Sequence, residues 1–333
     1  MSDQPVLEVR NLVMDYETKA GTVSAIRDVS FVIPRGKSLG LVGESGSGKT
    51  SVALAMLRLQ APNARVLGGK VLFEGEDLFT LDDEAMRRRR WAGISMIFQG
   101  AMNSWNPVQT VGDQILEAID LHWDPRPTAD EARARVVELY QLVGLSPEMI
   151  DRYPHEYSGG MKQRAVIAMA LSCEPSLIVA DEPTTALDVI VQEQILSELR
   201  EIQDEMGMSI IYISHDIAVI AQITDVLAVM YAGKLVEMAP TADVFARPRH
   251  PYTWLILTST PSIIGPRRQL APLEGEPPNL LDPPSGCSFH PRCPFATEVC
   301  AVEEPPLSEI VEGHSIACWH PEKVPVDLGL AMT

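Results

Sequence analysis

Three short runs carry residue types that could act on a chain of phosphates. Gly43-Glu44-Ser45-Gly46-Ser47-Gly48-Lys49-Thr50 fits the glycine-rich phosphate-loop pattern, following an apolar run, Lys37 to Val42, and opening a helix-forming stretch, Thr50 to Leu59. Glycines let backbone N–H groups turn toward phosphate oxygens, a helix N-terminus favours their charge, Lys49 reaches the terminal oxygens, and Thr50 can ligate Mg²⁺. Leu177-Ile178-Val179-Ala180-Asp181-Glu182 is an apolar strand ending in two carboxylates. Asp181 there suits a water-mediated hold on Mg²⁺, and Glu182 is the candidate general base beside a γ-phosphate. Ser158-Gly159-Gly160-Met161-Lys162-Gln163-Arg164 runs into the helical pattern Ala165 to Leu171, which puts Ser158 at an N-cap and makes a second anion site. Taken singly, a glycine-rich turn or a strand running into a charged turn would explain the first two runs. Together they fit many nucleotide hydrolases, kinases and GTPases.

The elements around these runs read as an α/β wind. Short strands are expected at Val6 to Val9 and Val29 to Ile33, and buried parallel strands at Leu177 to Ala180, Ile210 to Ser214 and Val226 to Met230. Ala129 to Val143 has the spacing of an amphipathic helix, inserted between the nucleotide-binding parts. From residue 256 onward the texture changes: that segment holds 13 of the 26 prolines and four of the five cysteines. The expected boundary therefore separates a nucleotide-binding domain, 1–255, with a helical subdomain at about 100–170, from an extension, 256–333.

In order along the chain, these runs resemble the ABC ATPase family, whose signature loop begins Ser-Gly-Gly and meets the γ-phosphate held by an opposite subunit. The resemblance implies two ATP molecules sandwiched in a head-to-tail dimer. It also implies roles for single residues that carry little weight alone. Tyr16 resembles the aromatic that stacks on adenine, and Gln99 the glutamine that touches Mg²⁺ and relays to membrane subunits. Asp188, in Ala186-Leu187-Asp188, resembles the inter-subunit loop aspartate, and His215 the histidine that contacts the γ-phosphate. The implied fold is α/β: a phosphate-loop NTPase (RecA-like) core with antiparallel β and α-helical subdomains, plus a small Cys/Pro-rich C-terminal extension.

Further runs are similar to the oligopeptide/dipeptide permease ATPases: Tyr153-Pro154-His155-Glu156-Tyr157, His250-Pro251-Tyr252-Thr253, Ser259-Thr260-Pro261, and Gly286-Cys287-Ser288-Phe289-His290-Pro291-Arg292-Cys293-Pro294. Family relatives import peptides, nickel complexes or oligosaccharides. The implied partners are two transmembrane permease subunits, a second and homologous ABC ATPase, and an extracytoplasmic substrate-binding protein. The chain departs from the family after Gln99, where Gly100-Ala101-Met102-Asn103-Ser104-Trp105-Asn106-Pro107 replaces the usual Asp-Pro and Leu-Asn-Pro.

Cys287, Cys293, Cys300 and Cys318 lie in a segment too proline-rich to build its own core, so a metal staple is expected. Four thiolates suit Zn²⁺ or a [4Fe–4S] cluster, His290 and His320 could substitute as ligands, and the resemblance implies iron–sulfur. The alternative is four reduced, unconnected thiols. Cys173 stands apart and reads as core.

Charge and hydropathy narrow the class further. A net charge of −18 leaves no basic field for a nucleic-acid partner. Arg87 to Arg90, beside Asp82, Asp83 and Glu84, read as a solvated helix face. No secretory signal opens the sequence, and the apolar stretch Ile210 to Tyr231 is interrupted by His215, Asp216, Gln222 and Asp225, so it is not a membrane span. The expected location is the cytoplasmic face of a membrane, held peripherally. A soluble ABC ATPase of translation or DNA repair is the rival, but it would carry paired cassettes or long coiled-coil insertions.

Overall fold

The computed structural model describes residues 4–185, 187–259 and 274–325. Ala186, Thr260 and Pro261, each in a run singled out above, lie outside the described residues. The chain divides into two compact units, one holding the chain up to Val6, Ile33–Lys37 and Phe73–Ile213, the other Leu7–Val32, Ser38–Leu72 and the chain from Ser214 onward. Each mixes helix and strand.

In the first unit three parallel strands lie side by side, Ile94–Ile97, Leu177–Asp181 and Ser209–Ser214. Every residue of Leu177–Asp181 is buried, as expected for a strand covered on both faces. Around them stand helices Val111–His122, Ala129–Leu142, Gly159–Ala170 and Val189–Met206. Side chains fix where these helices begin. Thr110, Thr128, Ser158 and Asp188 each accept a backbone N–H of the first turn, and Thr128 with Glu131 forms a full capping box. The longest helix buries Ile195, Leu196, Leu199 and Ile202 along one stripe and ends at Gly207, whose φ of 63° is cheap only for glycine. Helix Asp83–Arg89 carries the basic run: Arg87 and Arg88 pair with Glu84, and Arg89 with Glu76.

In the second unit, strand Ser38–Val42 runs parallel to Val226–Tyr231. Val226–Tyr231 pairs antiparallel with Lys234–Pro240, which in turn takes His314–Ile316 and, beyond it, Ser308–Val311. Strands Leu7–Thr18 and Gly21–Ile33 belong to a further sheet and are much longer than their apolar patterns predict. Asn11 and Asp28 sit inside them at φ 48° and 61°, bonded to each other at 2.8 Å, and such left-handed residues break the period-two alternation that marks a strand. The helix after the phosphate loop spans Lys49–Met56 and stops short of Leu59, where Arg58 turns to φ 52°. Among the described residues no helix is long and apolar enough to cross a membrane.

Candidate functional site

The phosphate loop belongs to the second unit and is shaped by backbone that only glycine tolerates. Strand register places Val42 opposite Val229, so Gly43 comes up against Met230; a β-carbon on Gly43 would stand 2.2 Å from the Met230 carbonyl oxygen. One on Gly48, at φ 103°, would stand 2.4 Å from the Ala25 carbonyl oxygen. Gly46, at φ 79°, has open space around it and needs glycine for its conformation alone. The Lys49 side chain curls back over the loop, donating to the carbonyls of Gly43 at 2.7 Å and Glu44 at 2.8 Å and to Ser47 Oγ at 3.3 Å. Lys49 is 6% exposed, its ammonium held by these loop oxygens. Gly48 offers the following helix no side-chain cap and its first turn has no acidic residue, a helix start of the kind that favours an anion. Ser45, Gly46 and Thr50 are exposed and Ser47 is buried. Tyr16 stands half-buried beside this helix, its hydroxyl 3.2 Å from Ser51 Oγ.

The strand-end carboxylates belong to the first unit. Register pairs Ile97 with Ala180 across parallel strands, so the residues two positions on, Gln99 and Glu182, emerge side by side at the carboxyl ends. Gln99 Nε2 donates to Glu182 Oε2 at 2.8 Å, and the Thr185 hydroxyl donates to the same oxygen at 2.9 Å. Glu182 turns to φ 46°, an uncommon conformation for a side-chain-bearing residue, held by its N–H to the Ile213 carbonyl at 2.9 Å. Asp181, the residue before it, is 1% exposed.

Ser158 caps its helix as the sequence predicts, accepting the Met161 N–H at 3.3 Å. Tyr157 holds the approach: buried, it donates to the Met149 carbonyl at 2.5 Å and meets the Tyr140 hydroxyl at 2.8 Å. Gly160 packs so closely that a β-carbon would lie 3.1 Å from Val191 Cγ1. Asp188 is itself an N-cap, accepting the Val191 N–H at 3.0 Å. In the second unit His215 is exposed at the junction between strand Ser209–Ser214 and helix Ile217–Ala221, next to the capping residue Asp216.

The cysteines correct an expectation. Among the described residues no group of three or more His, Cys, Asp or Glu side chains comes together to hold a metal ion, so Cys287, Cys293, Cys300 and Cys318 form neither a [4Fe–4S] nor a Zn²⁺ site. The space they share with Phe289 and Phe295 is about 20 Å³, room for a water rather than a four-iron cluster. Burial pushes the Cys287 thiol up to about 11 and the Cys318 thiol to about 12. The extension is ordered by other means. Phe289, 1% exposed, inserts among Tyr231, Tyr252 and His250 with ring centres 5.1, 5.3 and 5.9 Å away. His314 reaches the fully buried Glu237 at 2.7 Å, and the hairpin from Ser308 to Ile316 adds to the sheet. Cys173 is buried, and burial raises its thiol.

Three residues at these sites carry no prediction from sequence. Thr185, which bonds Glu182, is signalled only by its place three residues on in a turn. Tyr252, whose hydroxyl accepts the Glu44 N–H at 2.9 Å, and Arg292, which pairs with the Glu44 side chain, sit in the runs quoted for their resemblance, but each is more than two hundred residues from its partner.

Comparison with known proteins agrees with this geometry. Residues 26–185 match the family described as ABC transporter, and residues 236–300 that described as oligopeptide/dipeptide transporter, C-terminal region. The chain is 45% identical over 319 residues to the dipeptide transport ATP-binding protein DppD of Bacillus subtilis, covering 95% of each. It is 42% identical over 328 residues to the oligopeptide transport ATP-binding protein OppD of the same organism, covering 97% of this chain and 91% of that one. Among solved structures, the dimeric post-hydrolysis ATP-binding cassette MJ0796 bound to ADP and Pi superposes with a TM-score of 0.63 at 25% identity, over 71% of this chain and 98% of that one. Likeness at this level from end to end, over a fold shared with ATP-binding cassettes, makes the chain an ATP-hydrolysing member of the ABC transporter family, in the branch that carries the oligopeptide/dipeptide transporter C-terminal region.

Proposed function

We propose that this chain is the motor subunit of a peptide importer, using ATP binding and hydrolysis to drive uptake through separate membrane-spanning partners. The observation that carries the reading is the phosphate cradle, an ammonium fixed by the carbonyls of Gly43 and Glu44 ahead of a helix with no side-chain cap. The names of the relatives DppD and OppD support peptides as cargo.

In this reading Gly43, Ser45, Gly46, Ser47, Gly48 and Lys49 hold the phosphates, and Tyr16 stacks on the base. Thr50 and Gln99 are assigned as oxygen ligands for Mg²⁺, and Asp181 as a hold on it through water. Hard oxygen donors are what that ion prefers, and when bound it neutralises charge on the phosphate oxygens. Glu182 takes the proton of the attacking water as the bond from the γ-phosphorus to ADP breaks, and His215 contacts the γ-phosphate. Ser158, Gly159 and Gly160 meet the nucleotide of an opposite subunit, with Asp188 in the loop between subunits; the dimeric state of MJ0796 supports such a pair. The second ATPase is a homologous chain. The remaining partners are two permease subunits and an extracytoplasmic binding protein, with the motor held peripherally at the cytoplasmic face. The nucleotide-binding domain is residues 1–255, its helical subdomain about 100–170, and the extension 256–333.

The test uses the purified intact transporter. Peptide-loaded binding protein should raise its ATPase rate, and Lys49→Ala should remove ATP binding and that rate together. Stimulation by oligosaccharides or nickel chelates in place of peptides would overturn the cargo assignment, and unchanged ATP binding in Lys49→Ala would overturn the cradle.

A further inference from the structure

Every polar group of Glu44, the second residue of the phosphate loop, is committed to a partner. Its N–H donates to Tyr252 Oη at 2.9 Å, and its carbonyl accepts from Lys49 Nζ at 2.8 Å and from the Ser47 N–H at 3.2 Å. Its carboxylate receives two parallel bonds from Arg292 of the C-terminal extension, Nη1 to Oε2 at 2.7 Å and Nη2 to Oε1 at 3.1 Å. Arg292 is itself immobilised. Its Nε donates to the Glu274 carbonyl at 3.0 Å, Nη1 reaches Tyr231 Oη at 3.3 Å, and the guanidinium lies 5.9 Å from the centre of the Tyr231 ring. The Arg292 side chain is 6% exposed against 29% for Glu44, so the extension's end of this pair is the anchored one. Phe289, three residues earlier, is wedged among Tyr231 and Tyr252, which fixes the platform from which Arg292 reaches.

We propose that Arg292 is a positioning residue for ATP binding: its two-point grip turns the Glu44 carboxylate away from the phosphates, cancels its charge, and so holds the Glu44 carbonyl where it orients Lys49. The proposal rests on the reading that residues 43–50 cradle the triphosphate. A carboxylate released beside that cradle would repel the anion, and the loop would lose a tether to the extension. Lysine, a single point charge, cannot reproduce the fork. Because Arg292 acts on the loop through the Glu44 carboxylate, its effect belongs to affinity rather than to the chemical step.

The experiment measures KM for ATP and kcat in the assembled transporter, with thermal stability, for Arg292→Met, Arg292→Lys, Glu44→Gln, the Arg292→Met/Glu44→Gln double variant and Lys49→Ala. Arg292→Met should raise KM about tenfold with kcat held within about twofold, and Arg292→Lys should fall between it and wild type. In the Glu44→Gln background, Arg292→Met should raise KM by less than about threefold, because the carboxylate it serves has gone. Wild-type KM in Arg292→Met alongside lost binding in Lys49→Ala would overturn the proposal while sparing the cradle. So would a KM rise undiminished by Glu44→Gln. If Arg292→Met does not fold, Arg292→Lys alone and in the Glu44→Gln background decide by the same comparison. Normal binding in Lys49→Ala would show that the reading beneath the proposal had failed.

Discussion

Replacing Glu182 by glutamine separates the general base from everything else that this side chain does. In the wild type the hydrogen bonds from Gln99 Nε2 at 2.8 Å and from the Thr185 hydroxyl at 2.9 Å fall on the same carboxylate oxygen, Oε2. The amide oxygen of glutamine can take that place and accept both, leaving the amide NH₂ where Oε1 had been. Backbone at φ 46° is no harder for glutamine than for glutamate, so neither fold nor nucleotide binding should change. What disappears is proton acceptance, which contributes about 10² to 10⁴ in rate, or roughly 3 to 5 kcal/mol of barrier. Glu182→Asp, shorter by one methylene, keeps the base but draws it out of reach of both donors, and misplacement on that scale costs about 10²-fold. The assay is phosphate release by the intact transporter at saturating ATP and Mg²⁺, beside equilibrium ATP binding. Turnover of Glu182→Gln within about tenfold of wild type would remove this residue from the role of base. Weakened ATP binding in the same variant would show that Oε2 had not been rebuilt.

Two further perturbations follow from the geometry. Gly46→Ala and Gly48→Ala both place a side chain at positive φ, a strain of about 1–2 kcal/mol, but only the second drives a β-carbon to 2.4 Å from a backbone oxygen. Gly48→Ala should therefore abolish ATP binding where Gly46→Ala weakens it by roughly tenfold, and equal losses in equilibrium titration would contradict the loop geometry. His250, 1% exposed and accepting the Tyr252 N–H at Nδ1, has its pKa lowered by burial to about 4 from 6.5. A depressed pKa stabilises the fold above about pH 6.5, and that stability, about 3 kcal/mol at most, is lost as pH falls toward 4. Urea unfolding of His250→Asn, which retains an acceptor but cannot titrate, should lose less stability between pH 7 and 5 than wild type; parallel pH profiles would refute the assignment.

What could be read from the residues alone was local. The phosphate loop, the Ser158 cap and the apolar strand ending at Asp181 each sit within a few neighbours, and short-range physics fixes them: glycine's freedom, a hydroxyl two or three residues from a free N–H, a buried strand with a charged end. Strand order was hidden, so nothing in the residues brought Gln99 to Glu182; the register of Ile97 with Ala180 explains their meeting. The extension was misread because cysteine spacing reports how many thiols there are, not their protonation or the space between them. Its prolines also masked what binds it down, since Phe289, Arg292 and His314 each find their partners far along the chain, on Tyr231, Glu44 and Glu237. Asn11 and Asp28 hid two long strands for a simpler reason, by interrupting an alternation that the backbone continues.

The hairpin formed by Ser308–Val311 and His314–Ile316 also bears on how this molecule is made. It closes the border of Lys234–Pro240, matching Glu237 to Ile316 and Met238 to Ser315, and His314 brings an imidazole to the buried Glu237. Ribosomes deliver those residues late, so a nascent polypeptide waits with a row of unpaired amides. Such a border is a template for another molecule's strand. Products clipped or frameshifted before residue 308 never close it, which leaves them adhesive and conspicuous to chaperones and proteases, whereas in the folded protein this border ends in a four-residue strand too short to recruit neighbours.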